Sequence, residues 1–251
     1  MTALRIVNPD PRYAPVDLAE ADTHGYVHLA AAVRPNPVPD ADPGKAVVVA
    51  QVKEHARRVP RLATVERVAV FDAIAMPPID RMSDDLWQAA DSIRPARFDV
   101  VVLVETTSPA AAHAAISAPP FAALSATLQR SAQHVHVVAA RAAKRFGAVD
   151  LSRDGLFLFD YFVAEDAGVM LALWDHLAGW YVAETGLDNS VLLTPLDGQG
   201  SDYVAINAAR WDLSLPGFFA RQLAKKTFRT YVHANLAANR VGAMPVLYRM
   251  A

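Results

Sequence analysis

The chain has 251 residues and no cysteine. That absence excludes disulfides, thiolate metal sites and cysteine nucleophiles, and it is compatible with a reducing cytosol. No uncharged apolar run of 18 residues occurs, and the opening Met1-Thr-Ala-Leu-Arg-Ile-Val-Asn-Pro9 is not a basic region followed by a long apolar one. Neither a signal segment nor a membrane-spanning helix is expected. An excess of one charge is also missing: 24 basic against 26 acidic residues leave a net charge of −2 and a pI near 6.4. Bulk attraction to nucleic acid or to an anionic membrane therefore has no basis, and neither is expected as a partner. The 11 glycines form no GxGxxG and no GxxxxGK[ST] loop, so no nucleotide site is visible. These absences describe a soluble, cytoplasmic protein.

What is present is apolar. With 53% hydrophobic and 20% charged residues, the chain can bury one large core or two of about 100 to 130 residues. Seven of the 17 prolines fall in the first 43 residues, where each removes a backbone donor and biases its predecessor away from helix. This leader can be a covering arm, a partner-binding segment or disordered. Beyond it, one pattern occurs twice. Phe98 to Glu105, then Ser108-Pro109, a helical stretch carrying Phe121, and His134 to Val138 form the first copy. Asp202 to Asn207, then Ser214-Leu-Pro216, a helical stretch carrying Phe228, and Val241 to Tyr248 form the second. Duplication is the simplest account, and a half-chain unable to cover its own sheet can be covered by its twin.

The first half reads as a strand at Tyr26 to Val33, a helix at Gly44 to Val59, a strand at Val65 to Met76 and a short helical excursion at Ser83 to Ile93 capped by Ser83. A strand at Phe98 to Glu105, a helix from Pro109 to Arg130 interrupted near Pro119-Pro120, and a strand at His134 to Arg141 complete it. In the second half, Leu156 to Val163 is a strand. Ala167 to Glu184 is a helix with Val169, Leu173, Leu177 and Trp180 on one stripe, opened by Glu165-Asp166 and stopped by Gly186. A hairpin turning at Asp197-Gly-Gln-Gly200 follows, then a helix capped by Asp212 or Ser214 and a last strand ending at Tyr248. The order is βαββαβ.

A βαββαβ chain folds with split crossovers into a four-stranded antiparallel sheet with both helices on one face. At these residues the chain resembles the dimeric α+β barrel superfamily, which includes antibiotic-biosynthesis monooxygenase-like domains. The resemblance covers about residues 44 to 145 and 155 to 250. It implies an α+β fold of two ferredoxin-like repeats, 26–147 and 155–251 behind a leader at 1–43, packed sheet to sheet as a pseudo-dimeric barrel. It also implies a pocket between the sheet and helices of each half. Members include cofactor-independent oxygenases of aromatic substrates, haem-degrading enzymes, isomerases, decarboxylases and proteins without settled activity.

The second half holds the richer set of candidate pocket residues, so one half is expected to be functional and the other structural. Strand alternation puts Leu156, Leu158, Asp160 and Phe162 on one face and Phe157, Phe159, Tyr161 and Val163 on the other. Asp160, alone on an apolar face, is either a pocket base with a raised pKa or a partner of Arg210 or Arg240. Asn207 orients a substrate carbonyl or satisfies neighbouring backbone. The helix Trp174 to Tyr181 concentrates aromatics, and His176 borders the same region as a possible base. The expected catalytic residues are Asp160 or His176 as base and Asn207 or Arg210 as oxyanion donor, with Trp180, Tyr181, Tyr231 and His233 lining the pocket. The expected ligand is a small apolar or aromatic molecule, turned over without a bound cofactor. Alternatives are a non-catalytic binding or assembly protein whose aromatics are core, and a haem protein ligated by His233. Against the last, the resemblance implies an Asn on the first strand and a Trp close to the ligating His, whereas here Asp160 stands on that strand and Trp211 lies 22 positions before His233. His134 and His136 share a strand face without an identifiable third ligand, so no metal is expected. The protein is expected to be a pseudo-dimeric monomer or a homodimer.

Overall fold

The computed structural model describes residues 3–19, 23–35, 42–77 and 93–251. Eight antiparallel strands form one closed barrel in the order β1-β3-β2-β8-β5-β7-β6-β4. They are β1 (Gly25–Ala32), β2 (Val65–Ala75), β3 (Val100–Thr106), β4 (His134–Phe146), β5 (Leu156–Ala164), β6 (Ser190–Pro195), β7 (Ala205–Trp211) and β8 (Val241–Met250). Within the first four strands the order is β4-β1-β3-β2, and within the last four it is β8-β5-β7-β6, the same arrangement of first to fourth strand in both halves. The expected face-to-face packing of two separate sheets is corrected in one respect. The halves are also joined by backbone hydrogen bonds, β2 to β8 through Phe71↔Met250 and Ala73↔Tyr248, and β4 to β6 through Ala140↔Pro195 and Phe146↔Ser190. Closure leaves no open sheet edge among the described strands, so association through a free edge has no surface on which to occur.

Alternation along the strands makes two kinds of core. Inward residues from all eight strands, among them Tyr26, Phe71, Leu103, Val138, Phe157, Leu193, Ile206 and Met244, fill the barrel. Outward residues meet helices. In the first half these are α1 (Pro43–Ala56), α2 (Pro109–Ser117) and α3 (Pro119–Ser131), and in the second α4 (Ala167–Thr185), α5 (Leu215–Leu223) and α6 (Ala234–Ala238).

Helix limits follow local chemistry. Asp42, Ser108, Asp166 and Ser214 each accept a backbone N–H at the start of α1, α2, α4 and α5, satisfying donors that have no partner inside the helix. Pro119-Pro120 divides α2 from α3, and Gly186, at φ 73°, closes α4 in the left-handed conformation. Between α5 and α6, residues Phe228–His233 form a π-helical turn. The helical excursion expected at Ser83 to Ile93 lies almost wholly outside the described residues.

The leader is a strap over the second half. Asn239 Oδ1 accepts from Arg5 N at 2.8 Å while its Nδ2 donates to Arg5 O at 2.7 Å, and Asn235 does the same with Val7 at 2.8 and 3.0 Å. Two side-chain amides thus pair with a segment whose prolines and irregular course keep it out of the sheet. Tyr13 is buried beneath it, donating to Glu184 Oε1 at 2.6 Å and packing on Tyr231 with ring centroids 4.7 Å apart. At Gly179 the strap comes so close that a Cβ would lie 2.1 Å from Ala14 O, which requires glycine there.

Candidate active site in the second half

The outward face of β5 and β7 is where the halves part company. Asp160 and Asn207 are direct cross-strand partners, so their side chains stand together on one face, as opposed pairs do. Around them lies a cavity of about 280 Å³, walled by Leu158 and Phe162 of β5, by Trp174, Leu177, Ala178 and Tyr181 of α4, and by Gln222 of α5. Phe228, Val232 and His233 of the π-turn and Ala243 and Pro245 of β8 close it. Among the described lining residues none is Lys or Arg, and the one carboxylate is Asp160.

Asp160 is 9% exposed, and its Oδ1 has no hydrogen-bond partner. Burial in this apolar setting pushes its carboxyl up to about 8, with the Met244 backbone N–H as the opposing influence. Neither cation that could have neutralised it is near: Arg210 pairs with Asp212 at 2.6 Å and Arg240 with Glu165 at 2.7 Å. Asn207 is 8% exposed. Its Oδ1 accepts from Trp174 Nε1 at 2.9 Å and from Ser190 Oγ at 2.7 Å. An indole N–H can only donate, so the oxygen of the amide faces Trp174 and Ser190 and the nitrogen is the group left for the cavity. Tyr181 Oη accepts from Gln222 Nε2 at 2.8 Å, and His233 packs edge-on to Phe228 at 4.4 Å.

Four of the eight residues expected at the site therefore line one cavity: Asp160, Asn207, Tyr181 and His233. The other four do not, each for a geometric reason. His176 is half-buried on α4 but rotated about 200° from Trp174 at 100° per residue, so it leaves the face formed by 174, 177, 178 and 181. Arg210 is three residues from Asn207 on β7, hence on the opposite face, where its guanidinium lies 5.8 Å from the Phe157 ring and donates to Asp154 O at 2.6 Å. Trp180 is fully buried between Tyr13 and Phe228 and donates to Thr227 Oγ1 at 3.1 Å. Tyr231 packs under the strap on Tyr13. For these two the core reading is the one the contacts describe.

Three contributors stand out only in the structure: Trp174, which the sequence shows as one of several aromatics on its helix, and Ser190 and Gln222, which no local pattern marks. The π-turn was also not foreseen, since a helix widened by one residue has no distinct sequence period, yet such turns recur at functional sites.

A second polar group lies inside the barrel. His28 Nε2 is 3.3 Å from Tyr161 Oη, and His136 Nε2 is 3.1 Å from Ser201 Oγ. Burial holds His28 well below the ordinary imidazole range and brings His136 down to about 4, so both are neutral at pH 7. His134 contacts Arg94 at 3.0 Å through Nδ1. Among the described residues, the place where three metal-ligating side chains converge is instead His24, Glu66 and Glu105, within 4.8 Å of one another at the end of β1 to β3. There His24 already pairs with Glu66 at 3.1 Å, and Arg67 approaches Glu105 at 3.7 Å.

No family model and no curated protein matches this chain. Solved structures do. An anthrone oxidase-like protein superposes with a TM-score of 0.59 at 15% identity over 94% of each chain. A "putative monooxygenase" from Fusobacterium nucleatum does so at 0.52 and 8% identity, over 92% of this chain and 94% of its own. A "putative chlorite dismutase" reaches 0.50 at 10% identity, over 91% and 95%. The chain shares their fold. Identities this low carry the fold, and the cavity residues must carry the rest.

Haem, the ligand of the alternative reading at His233, is testable against the lining. His233 supplies one nitrogen donor at the wall. The volume of about 280 Å³ lies just under the range of roughly 300–1,000 Å³ typical of ligand pockets, and no cation among the described lining residues meets the two carboxylates of a haem. The residues present fit a smaller, uncharged molecule better than this macrocycle.

Proposed function

We propose that the second-half cavity is the active site of an oxygenase-like or isomerase-like enzyme acting, without a bound cofactor, on a small apolar or aromatic molecule. One observation carries this reading: a buried carboxyl and an oriented amide face each other across β5 and β7 in a largely apolar cavity. The likeness in fold to an anthrone oxidase-like protein and to monooxygenase-like proteins supports the same class.

In this mechanism Asp160, in its ionised form, takes a proton from a CH2 group beside or conjugated with a carbonyl, or from the hydroxyl of a phenol. A base with a pKa near the working pH suits that transfer. The electron pair left behind moves onto the oxygen, where the Asn207 amide N–H group donates to the developing charge. Return of the proton to a different carbon completes an isomerisation. In the oxygenase case dissolved dioxygen is the oxidant: it takes the electron pair and forms a C–O bond. The resulting hydroperoxide loses water, so one oxygen atom stays in the product and one leaves as water. Tyr181 and His233 contact the ring.

The same reading takes 26–147 and 155–251 as tandem ferredoxin-like repeats, supported by their shared strand order, and the protein as a cytoplasmic pseudo-dimeric monomer or homodimer. No helix among the described residues is long and apolar enough to cross a membrane. The test is oxygen uptake and product analysis with a panel of aromatic ketones and phenols, comparing the wild type with Asp160→Asn. Turnover that survives this substitution overturns the assignment of the base, and binding without turnover of any member favours a non-catalytic ligand-binding protein.

A further inference from the structure

The polar atoms of the cavity have a definite polarity, and it is set by two residues of its own lining, Trp174 and Ser190. Asn207 Oδ1 is occupied twice, by the indole N–H of Trp174 on α4 and by the Ser190 hydroxyl on β6. Its amide nitrogen has no protein acceptor among the described residues and opens on the cavity. Directly beside it, Asp160 Oδ1 is buried without a partner. An unsatisfied buried polar atom costs stability and is rare in native proteins unless a ligand or water completes it. Apart from Ser190, Tyr181, Gln222 and His233, the remaining walls among the described residues are hydrocarbon and aromatic, with no Lys or Arg to accompany an anionic group.

Resting on the reading of this cavity as a small-molecule site, we infer that Trp174 and Ser190 are positioning residues that aim the Asn207 amide nitrogen into the cavity. The Asp160–Asn207 pair then receives a single uncharged oxygen, a carbonyl or a phenolic hydroxyl, on a flat ring system, and carboxylates and phosphates are refused. Size agrees with a ring system of about two rings, since an engineered cavity of about 150 Å³ already takes benzene. Desolvating an anion with no cation to meet it is the larger penalty and sets the selectivity.

Direct binding, which needs no turnover, tests this with three probes of similar shape: 1-tetralone, tetralin and 1-naphthoate. Calorimetry on the wild type is expected to show the ketone binding about tenfold tighter than tetralin, as one good hydrogen bond predicts, and naphthoate weaker than either. Ser190→Ala and Trp174→Phe should each lower ketone affinity several-fold more than tetralin affinity, and Ser190→Thr should restore the ketone's advantage. Infrared spectra of the bound ketone give a readout that mere packing would not move: the carbonyl stretch, lowered in the wild type by its donors, should rise in Ser190→Ala. Equal affinity for ketone and tetralin, an unchanged stretch in the variant, or naphthoate binding as tightly as the ketone overturns the inference. Failure of all three probes to bind overturns it together with the cavity reading, while binding as expected without turnover of any substrate removes only the enzymatic reading.

Discussion

The two halves use the same strand order and differ in what their sheets show to the helices. Across β1 and β3 the outward pairs are Val27↔Val104, Leu29↔Val102 and Ala31↔Val100, and they pack against Val48, Val49, Val52, Phe121, Leu124 and Leu128. Across β5 and β7 the corresponding pairs are Leu158↔Ala209, Asp160↔Asn207 and Phe162↔Ala205, facing Trp174, Leu177 and Tyr181. Aliphatic side chains of medium size interdigitate and fill their layer. Large rings held apart by hydrogen bonds, such as Trp174 to Asn207 and Tyr181 to Gln222, cannot close over one another and leave a hollow. One architecture thus yields a packed face and a hollow one, and the difference lies in a handful of side chains.

The largest expected effect is catalytic and confined to the hollow half. If Asp160 is the base, Asp160→Asn should lower kcat by about 10² to 10⁴ with the fold unchanged by circular dichroism, once a substrate is in hand. Moving the carboxylate to the packed half should show why it is absent there. Leu29 is fully buried, so Leu29→Asp is expected to cost about 4 kcal/mol, the order of an uncompensated buried charge, as a lowered urea midpoint. Asp160→Leu should do the reverse and raise the midpoint at pH 8, because it removes a buried polar group without a partner.

Titration sharpens the comparison further. The Asp160 carboxyl sits at about 8 in the fold against an ordinary value of about 4, so the folded state holds a proton that the unfolded state releases. Its contribution to stability is therefore present at low pH and lost as pH rises from about 4 to about 8, by up to roughly 1.4 kcal/mol per pH unit. Subtracting the Asp160→Asn stability profile from that of the wild type should expose this slope. The buried histidines of the first half act in the opposite sense. With His136 lowered to about 4 and His28 lower than usual, the unfolded state binds more protons below about 6.5, so their contribution is present above that pH and lost as pH falls. His136→Phe should flatten its share of the acid-side loss, the smallest of these effects. A wild-type profile identical to both variants would break the contrast.

The comparison also shows which inferences the chain supports before folding. The cap at Ser214, the stop at Gly186, the break at Pro119-Pro120 and the turn at Asp197 to Gly200 all agree with the observed elements, because each rests on interactions within a few residues. The division of β5 into two faces was readable for the same reason: alternation is local, and a carboxylate among Leu and Phe stands out. Arg210 and His176 misled because composition near a site says nothing about rotation. One strand step or two helical residues turn a side chain to the other side, and only the register with neighbours reveals which side is the cavity.

By itself, then, the amino-acid sequence determined the βαββαβ order in each half, the placement of Asp160 on the strand face opposite Phe157, Phe159 and Tyr161, and the apolar character of that strand. Tertiary structure decided that the two sheets share hydrogen-bonded edges, that the leader straps the second half, and that Trp174 and Ser190 meet on one amide oxygen. It also decided that no cation among the described residues reaches Asp160. The physical reason is range. Caps, turns and alternation are settled by neighbours along the chain, whereas a cavity, its polarity and the protonation of its carboxyl depend on groups from separate elements, β5, β6, β7, β8, α4, α5, α6 and the π-turn, whose meeting no local pattern encodes.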